Sequence, residues 1–322
     1  MALDTNSLGR TGLQVSEIAF GTWRFGREND RGEIEVGRER AHRLLDAYAD
    51  AGGQFIDTAD MYGEGRAEEY IGDWLADRDR EEFVVASKIY WPSRDDPNGG
   101  GLNRKHLRRQ IDGILDRLGT DYVDLLYTHR WDDETPAAEF MRTLDGFVRE
   151  GKVNYLGTST LEPNAWKVVK ANELADRRGY EPFTVAQPRY NAVNREIEGN
   201  YLEMCADYGI GVVPWSPLAG GFLTGKYSRG EAPPPESRAA TDQQFAESYL
   251  TPENFDALEE VADVASEVGA SPGEVSLAWL LAHDQVSAPI VGARTVEQLE
   301  ENLAAAEVSL TPDQFRRIAE AK

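Results

Sequence analysis

The chain has 322 residues, 41% of them hydrophobic, which is enough for a sizeable core and within the size of one α/β barrel. Its 57 acidic residues against 34 basic ones give a formal net charge of −23, and the basic set is 27 Arg with 7 Lys. A surface this anionic disfavours nucleic acid and anionic membranes, and no apolar run approaches the roughly 20 residues of a bilayer span.

Taken in chain order, Met1 to Arg10 lacks a basic segment followed by an apolar run, so no signal peptide is expected and the cytoplasm is the default location. Leu8-Gly-Arg-Thr-Gly-Leu13 marks an N-terminal hairpin, and the first strand reads around Ile18 to Phe20. Ala41 to Ala51 carries Leu44, Leu45, Ala47 and Tyr48 at helical spacing before a strand at Phe55-Ile56. Phe83 to Ala86 is the third strand, and a helix at Leu107 to Leu118 places Ile111, Ile114, Leu115 and Leu118 on one stripe. Strands follow at Val123 to Tyr127, Val153 to Gly157 and Thr184 to Ala186. Cys205, the only cysteine, lies in a helical pattern; it excludes an intramolecular disulfide and a cysteine-rich metal site, and reads as a small buried residue. A strand at Gly211 to Pro214 precedes a Pro-rich, charged segment, 228–252, that reads as irregular, either a lid or a disordered loop. Ser271-Pro-Gly-Glu274 and Thr311-Pro-Asp-Gln314 are capping boxes with Pro at the first helical position, and the last strand falls at Val286 to Val291.

Short β-rich runs alternating with amphipathic stretches indicate repeated βα units. Eight strand candidates with no Gly-rich dinucleotide fingerprint after any of them favour a closed barrel over an open doubly wound sheet. The expected fold is therefore α/β, a single (β/α)8 TIM barrel over residues 1–322 with an N-terminal β-hairpin and an extra C-terminal helix. Two motifs are discounted. Gly220 to Lys226 starts like a P-loop, but Tyr227 stands where the Mg²⁺-binding hydroxyl belongs; Gly63-Glu-Gly65-Arg-Ala-Glu68 has Glu in place of the third Gly. The four His lack zinc-like spacing, so no metal is predicted.

Four residues fall at or just past the ends of consecutive strands, the face where barrel enzymes keep their chemistry: Asp57, Tyr62, Lys88 and His129. A phenol is too weak an acid to exchange protons easily at neutral pH, and a nearby Lys88 ammonium would lower its pKa. Asp57 would neutralise the buried Lys88, and His129 could hydrogen-bond a carbonyl oxygen. The set suits donation of a proton to that oxygen while hydride reaches the carbon.

With these residues the chain resembles the aldo-keto reductase family over nearly its whole length. The resemblance is carried by Leu8-Gly-Arg-Thr-Gly-Leu-Gln-Val, Phe20-Gly-Thr-Trp, Phe55-Ile-Asp-Thr-Ala with Tyr62-Gly, Ser87-Lys88 and His129-Arg-Trp-Asp. It continues through Gly151-Lys-Val-Asn-Tyr-Leu-Gly-Thr-Ser, Gln187-Pro-Arg-Tyr-Asn191, Trp215-Ser-Pro-Leu-Ala-Gly-Gly221 and Gly292-Ala-Arg-Thr-Val-Glu-Gln-Leu-Glu-Glu-Asn302. It implies a catalytic tetrad of Asp57, Tyr62, Lys88 and His129, with Tyr62 the acid in reduction and the base in oxidation. It also implies a nicotinamide dinucleotide extended across the barrel mouth. Ser159 and Gln187 would bind its carboxamide, and Trp215 would stack on the ring. Ser216, Leu218, Gly220 and Lys226 would follow the pyrophosphate; Gly292, Arg294, Gln298, Glu301 and Asn302 would hold the adenosine end; Gly21, Thr22 and Trp23 would complete the cofactor surface.

Thr160 and Trp215 depart from the Asn and Tyr common in the family, which puts one carboxamide contact in doubt and leaves the stacking possible. Arg294 favours NADP, weakened by Glu297 and Glu301, so NAD stays open. Trp23, Trp91 and Trp131 would line a pocket for a hydrophobic aldehyde or ketone or a sugar, or pack under loops. Potassium-channel β-subunits resemble the same subfamily, so the alternative is a cofactor-sensing regulatory subunit; a barrel enzyme of unrelated chemistry, such as an isomerase, is a third reading. The expected partners are a small carbonyl substrate, no nucleic acid and no membrane, with the chain a monomer or small homo-oligomer. The charge excess fits a cytoplasm of molar salt, where a Debye length of ~3 Å relieves self-repulsion, against a moderately acidic mesophilic protein.

Overall fold

A computed structural model describes residues 2–29, 31–159, 164–235 and 237–322. Strands β1 (Thr5–Ser7) and β2 (Gln14–Ser16) pair antiparallel as the hairpin. Eight parallel strands follow: β3 (Ala19–Gly21), β4 (Phe55–Asp57), β5 (Val84–Ile89), β6 (Val123–Thr128), β7 (Val153–Ser159), β8 (Phe183–Gln187), β9 (Gly211–Val212) and β10 (Ile290–Val291). Their order is β10-β3-β4-β5-β6-β7-β8-β9. The ring closes where Val212 bridges Val286 in parallel and the Ile290 N–H donates to the Pro214 carbonyl at 2.9 Å. This is the expected (β/α)8 barrel. β9 and β10 are shorter than the runs 211–214 and 286–291 suggested, because Pro214 and Pro289 lack the N–H that a ladder needs.

Outside the strands lie α1 (Arg38–Asp50), α2 (Arg66–Leu75), α3 (Arg104–Leu118), α4 (Ala137–Arg149), α5 (Ala165–Arg178) and α6 (Asn200–Tyr208). After β9 come α7 (Arg238–Thr241), α8 (Gln243–Tyr249), α9 (Pro252–Val268) and α10 (Pro272–Leu281); α11 (Val296–Ala304) and the extra α12 (Pro312–Glu320) follow β10. Both predicted capping boxes are formed, Ser271 with Glu274 and Thr311 with Gln314. Cys205 is buried within α6, and burial pushes its thiol up to about 12. Among the described residues no helix is long and apolar enough to cross a membrane.

The segment 228–252 is not irregular throughout. Asp242 accepts from the Phe245 N–H and starts α8, whose Phe245 and Tyr249 rings sit 4.8 Å apart, with Tyr249 6.1 Å from Phe222. Burying these aromatics gives the segment an apolar anchor on the barrel.

Three apolar clusters hold the fold. Two lie between the strands and the helical ring; the third fills the barrel with Ala19, Phe55, Val84, Ala86, Leu125, Tyr127, Val185 and Ile290. Leu8 and Val15 of the hairpin join that interior, so β1 and β2 plug the N-terminal mouth. Gly9, at φ +59°, lets the hairpin close, since a Cβ there would lie 2.4 Å from the Gly211 nitrogen.

Candidate active site

Alternation along parallel strands sends every second side chain into the barrel, and at the C-terminal ends those positions turn from apolar to polar. Asp57 ends β4, and Lys88 is the fifth residue of β5; their side chains are 3% and 0% exposed. Lys88 uses all three of its ammonium hydrogens. Nζ donates to Asp57 Oδ1 at 2.5 Å, to the Thr58 carbonyl at 2.8 Å and to the Tyr62 hydroxyl at 3.2 Å. Burial acts against the ammonium, but Asp57 and Tyr62 together outweigh it and hold the Lys88 pKa above its ordinary value.

Tyr62 is presented by a tight turn. Gly63, Glu64 and Gly65 have φ of 55°, 60° and 94°, and a Cβ on Gly63 would lie 2.5 Å from the Phe25 carbonyl oxygen, so this turn needs glycine there. The Tyr62 and His129 rings meet edge to face at 5.9 Å, and His129 meets Trp91 likewise at 6.3 Å. Burial, then the charges of Lys88 and Arg130, hold His129 well below 6.5, so its imidazole is neutral; its Nδ1 is buried without a protein partner. For Tyr62, Lys88 pulls the pKa down as the sequence argument held, yet burial is larger and Asp57 and Asp60 reinforce it, so the phenol stands above 10.

Gln187 takes a part beyond the one assigned to it. Its Nε2 donates to Asp57 Oδ2 at 2.7 Å, so both carboxylate oxygens are held, and Ser159 Oγ donates to the Gln187 carbonyl at 2.9 Å. Thr22 is also turned inward, its hydroxyl on the Asp57 carbonyl at 3.0 Å. Thr160 lies outside the described residues. Trp91 borders His129, and Trp23 is 40% exposed beneath the Arg27 guanidinium at 3.7 Å. Trp131 packs edge-on against Phe140 of α4 at 5.1 Å, more a support under its loop than a wall.

Behind these four residues lies a network that sequence reasoning missed. Gln110 of α3 donates to Asp60 Oδ2 at 2.8 Å; Glu68 of α2 accepts from Ser87 at 2.5 Å and from Arg117 at 2.7 Å. Burial pushes Asp60 up to about 6 and Glu68 up to about 7. The Asp60-Met-Tyr62 spacing was its one sequence signal.

The remaining residues gather along the same mouth. The Trp215 N–H donates to the Pro188 carbonyl at 3.0 Å and Asn191 Nδ2 to the Ser216 carbonyl at 2.9 Å, so the Gln187 to Asn191 motif holds the Trp215-Ser216 turn. The chain then runs through left-handed residues, Ser216 (φ 54°), Ala219 (φ 50°), Gly220 (φ 65°) and Gly221 (φ 92°). The two that are not glycine cost about 1–3 kcal/mol each, strain of a kind that clusters at ligand clamps. A Cβ on Gly221 would meet Lys226 Nζ at 2.8 Å, and one on Gly220 would meet Arg238 Nη1 at 3.0 Å. Gly292 and Arg294, just before α11, are tied to Gln298 and Asn302 on it: the Arg294 N–H donates to Gln298 Oε1 and Asn302 Nδ2 to the Gly292 carbonyl; Glu301 is exposed on that helix.

Cations converge on this turn. Burial first, then Arg294 and Arg238, depress Arg24 against the pull of Glu35; burial, Arg294 and Arg24 depress Lys226. Among the described residues Lys226 and Arg294 have no carboxylate within 4.0 Å, whereas Arg24 pairs with Glu35 and Arg238 with Asp242. Arg24 and Arg238 were not foreseen, because the cluster is assembled from separate loops. Among the described residues no group of His, Cys, Asp and Glu is arranged to hold a metal.

A closed barrel thus brings a buried Asp57–Lys88 ion pair, the half-buried Tyr62 phenol and the neutral His129 ring together at its C-terminal mouth, the face where barrel enzymes keep their chemistry. Residues 17–322 match the Aldo/keto reductase family. The chain is 38% identical to an uncharacterized oxidoreductase, YrpG, of Bacillus subtilis, covering 97% of this chain and 93% of the relative. It is 37% identical to a probable voltage-gated potassium channel subunit beta of Oryza sativa, covering 97% and 94%, and 35% identical to the norsolorinic acid reductase stcV of Emericella nidulans, covering 95% and 78%. The chain belongs to the aldo/keto reductase family, and its oxidoreductase relatives make it an oxidoreductase by class.

Proposed function

We propose that the protein reduces an aldehyde or ketone to an alcohol, or runs the reverse, with NADP(H) as cofactor and Tyr62 as the proton-transferring residue. The observation that carries this reading is the direction of one hydrogen bond. Lys88 donates to the Tyr62 oxygen at 3.2 Å, which leaves the phenolic hydrogen free for an acceptor in the mouth. The same ammonium stabilises the oxygen as it gives up that proton, and Asp57 with Gln187 keeps Lys88 charged and in place. Neutral His129 offers an N–H to a carbonyl oxygen without competing as a base.

The mouth fits a nicotinamide dinucleotide, whose chemistry is delivery or acceptance of a hydride. The four cations Arg24, Lys226, Arg238 and Arg294 suit its phosphates, the left-handed turn from Ser216 to Gly221 admits close backbone approach, and Trp215, whose Nε1 is buried without a protein partner, presents an indole face. So many cations on a chain of net charge −23 support the phosphorylated cofactor over NAD.

The test is titration of NADPH and NADH by tryptophan fluorescence, followed by absorbance on adding aldehydes, ketones and sugars. Tighter binding of NADPH, weakened roughly tenfold in Arg294→Gln, and turnover lowered by about 10²–10⁴ in Tyr62→Phe are expected. Relatives named as channel β-subunits favour a second reading, a cofactor-sensing regulatory subunit. Tight cofactor retention without turnover, with a stable protein partner on co-purification, would establish that reading instead.

We further propose that the chain works in a cytoplasm of molar salt, as a monomer or small homo-oligomer without nucleic acid or membrane partners. Its unfolding midpoint should rise between low and molar KCl as self-repulsion is screened, and a constant or falling midpoint refutes the salt adaptation.

A further inference from the structure

We propose that Arg130, stacked on Trp91, forms a subsite for an anionic group on the carbonyl substrate, a carboxylate or a phosphate. This rests on the reductase reading of the same mouth. Arg130 directly follows His129 past the end of β6 and is exposed. Its guanidinium lies 5.0 Å from the centre of the Trp91 ring. That ring meets His129 edge to face at 6.3 Å, and His129 meets Tyr62 at 5.9 Å. Tyr62, His129, Trp91 and Arg130 therefore form one continuous row from the proton donor outward. A small molecule with its carbonyl oxygen between Tyr62 and His129 has its body along the indole and its far end within reach of the guanidinium.

Three features make this arginine a receptor for an anion and not a solubilising charge. First, it is unpaired: among the described residues no carboxylate lies within 4.0 Å of it, in a chain with 57 acids. Second, two acids of its own loop are committed elsewhere. Asp132 accepts from the Leu102 N–H at 2.8 Å and from Thr135 Oγ1 at 2.6 Å, and Asp133 pairs with Lys167 at 2.9 Å. Third, stacking on an aromatic face steadies the guanidinium plane, leaving its N–H donors for bidentate contact with an oxyanion. A surface of net charge −23 repels an anionic substrate at long range, so a local cation is what would admit one. The field of Arg130 reaches the reacting end as well, since it contributes to holding His129 neutral.

The experiment compares matched neutral and anionic carbonyls with NADPH: benzaldehyde against 4-carboxybenzaldehyde, and glyceraldehyde against its 3-phosphate. Each is read as kcat/KM in the wild type, Arg130→Gln and Arg130→Lys. For at least one pair the anionic-to-neutral ratio should fall roughly tenfold in Arg130→Gln, mostly through KM, with partial recovery in Arg130→Lys. The pair that responds identifies the anion as carboxylate or phosphate. Equal losses on both members, or unchanged ratios in both pairs, would overturn the subsite. If no carbonyl is turned over at all, the reductase reading fails separately. Quenching of tryptophan fluorescence by benzoate and by inorganic phosphate then reads the subsite alone, and equal affinity in wild type and Arg130→Gln overturns it.

Discussion

At the N-terminal mouth of the barrel the hairpin drives Leu8 and Val15, both fully buried, in among Phe55, Val84, Leu125 and Val185. At the other mouth the same strands end on Asp57, Lys88 and Gln187, equally buried and wholly polar. Sealing the first end requires only apolar surface of the right shape, which gains free energy as it leaves water. Burying the second end works against the charges, and it holds because each donor of Lys88 and each oxygen of Asp57 has a partner. The two mouths thus differ in kind: one supplies stability, and the other holds the electrostatic organisation that the proposed reaction would use.

Substitutions at the two ends should therefore separate cleanly. The largest effect belongs to Tyr62→Phe, which removes the proton and little packing; kcat should fall by about 10²–10⁴ with the thermal midpoint nearly unchanged. Turnover within a factor of ten of wild type would mean that the charged mouth is not the chemical end. Lys88→Met leaves the Asp57 carboxylate buried without its ion partner, at a cost of about 3–5 kcal/mol in urea unfolding. Adding Asp57→Asn removes the orphaned charge and should restore most of that stability but no activity. At the opposite mouth Leu8→Ala should cost about 2–5 kcal/mol and leave kcat/KM unaltered, since Leu8 touches nothing at the site. A Leu8 variant that lost activity below its unfolding transition would break the comparison.

How much of this was legible in sequence differs between the layers of the argument. Strand positions followed from β-rich runs, and Asp57, Tyr62, Lys88 and His129 could be grouped because each lies at or just past the end of such a run. Capping boxes at Ser271 and Thr311 were readable because they are local, four residues long, and formed as written. The short strands β9 and β10 were overdrawn although Pro214 and Pro289 stood in plain view. α8 was hidden because the Pro-rich stretch before it masked Asp242-Gln-Gln-Phe245, a good helix start. The Glu68–Arg117 pair joins residues 49 apart in sequence, and the cluster of Arg24, Lys226, Arg238 and Arg294 draws on separate loops, so neither leaves a local pattern. The direction of the Tyr62 shift needed coordinates too: the pull of Lys88 was foreseeable, but not that burial exceeds it.

That balance gives the smallest effect and the sharpest check on how the polar mouth is organised. Tyr62 stands above 10, so it stays protonated through neutral pH, and His129 lies well below 6.5, so it stays neutral. Reductive kcat/KM should then show no break from either group between about pH 6 and pH 9, falling only at higher pH as the phenol loses its proton. The groups that do titrate in this range are Asp60, raised to about 6, and Glu68, raised to about 7. As pH rises through those values they become anionic, and the charge on Asp60 strengthens the hold of Tyr62 on its proton. The result is a shallow step, less than about threefold, in a profile otherwise flat. In Asp60→Asn the part of the step near pH 6 should vanish, with Gln110 still able to hydrogen-bond the amide oxygen. A full-amplitude break near 6.5 that survives in Asp60→Asn would instead assign the titration to His129, and with it a charged imidazole at the site.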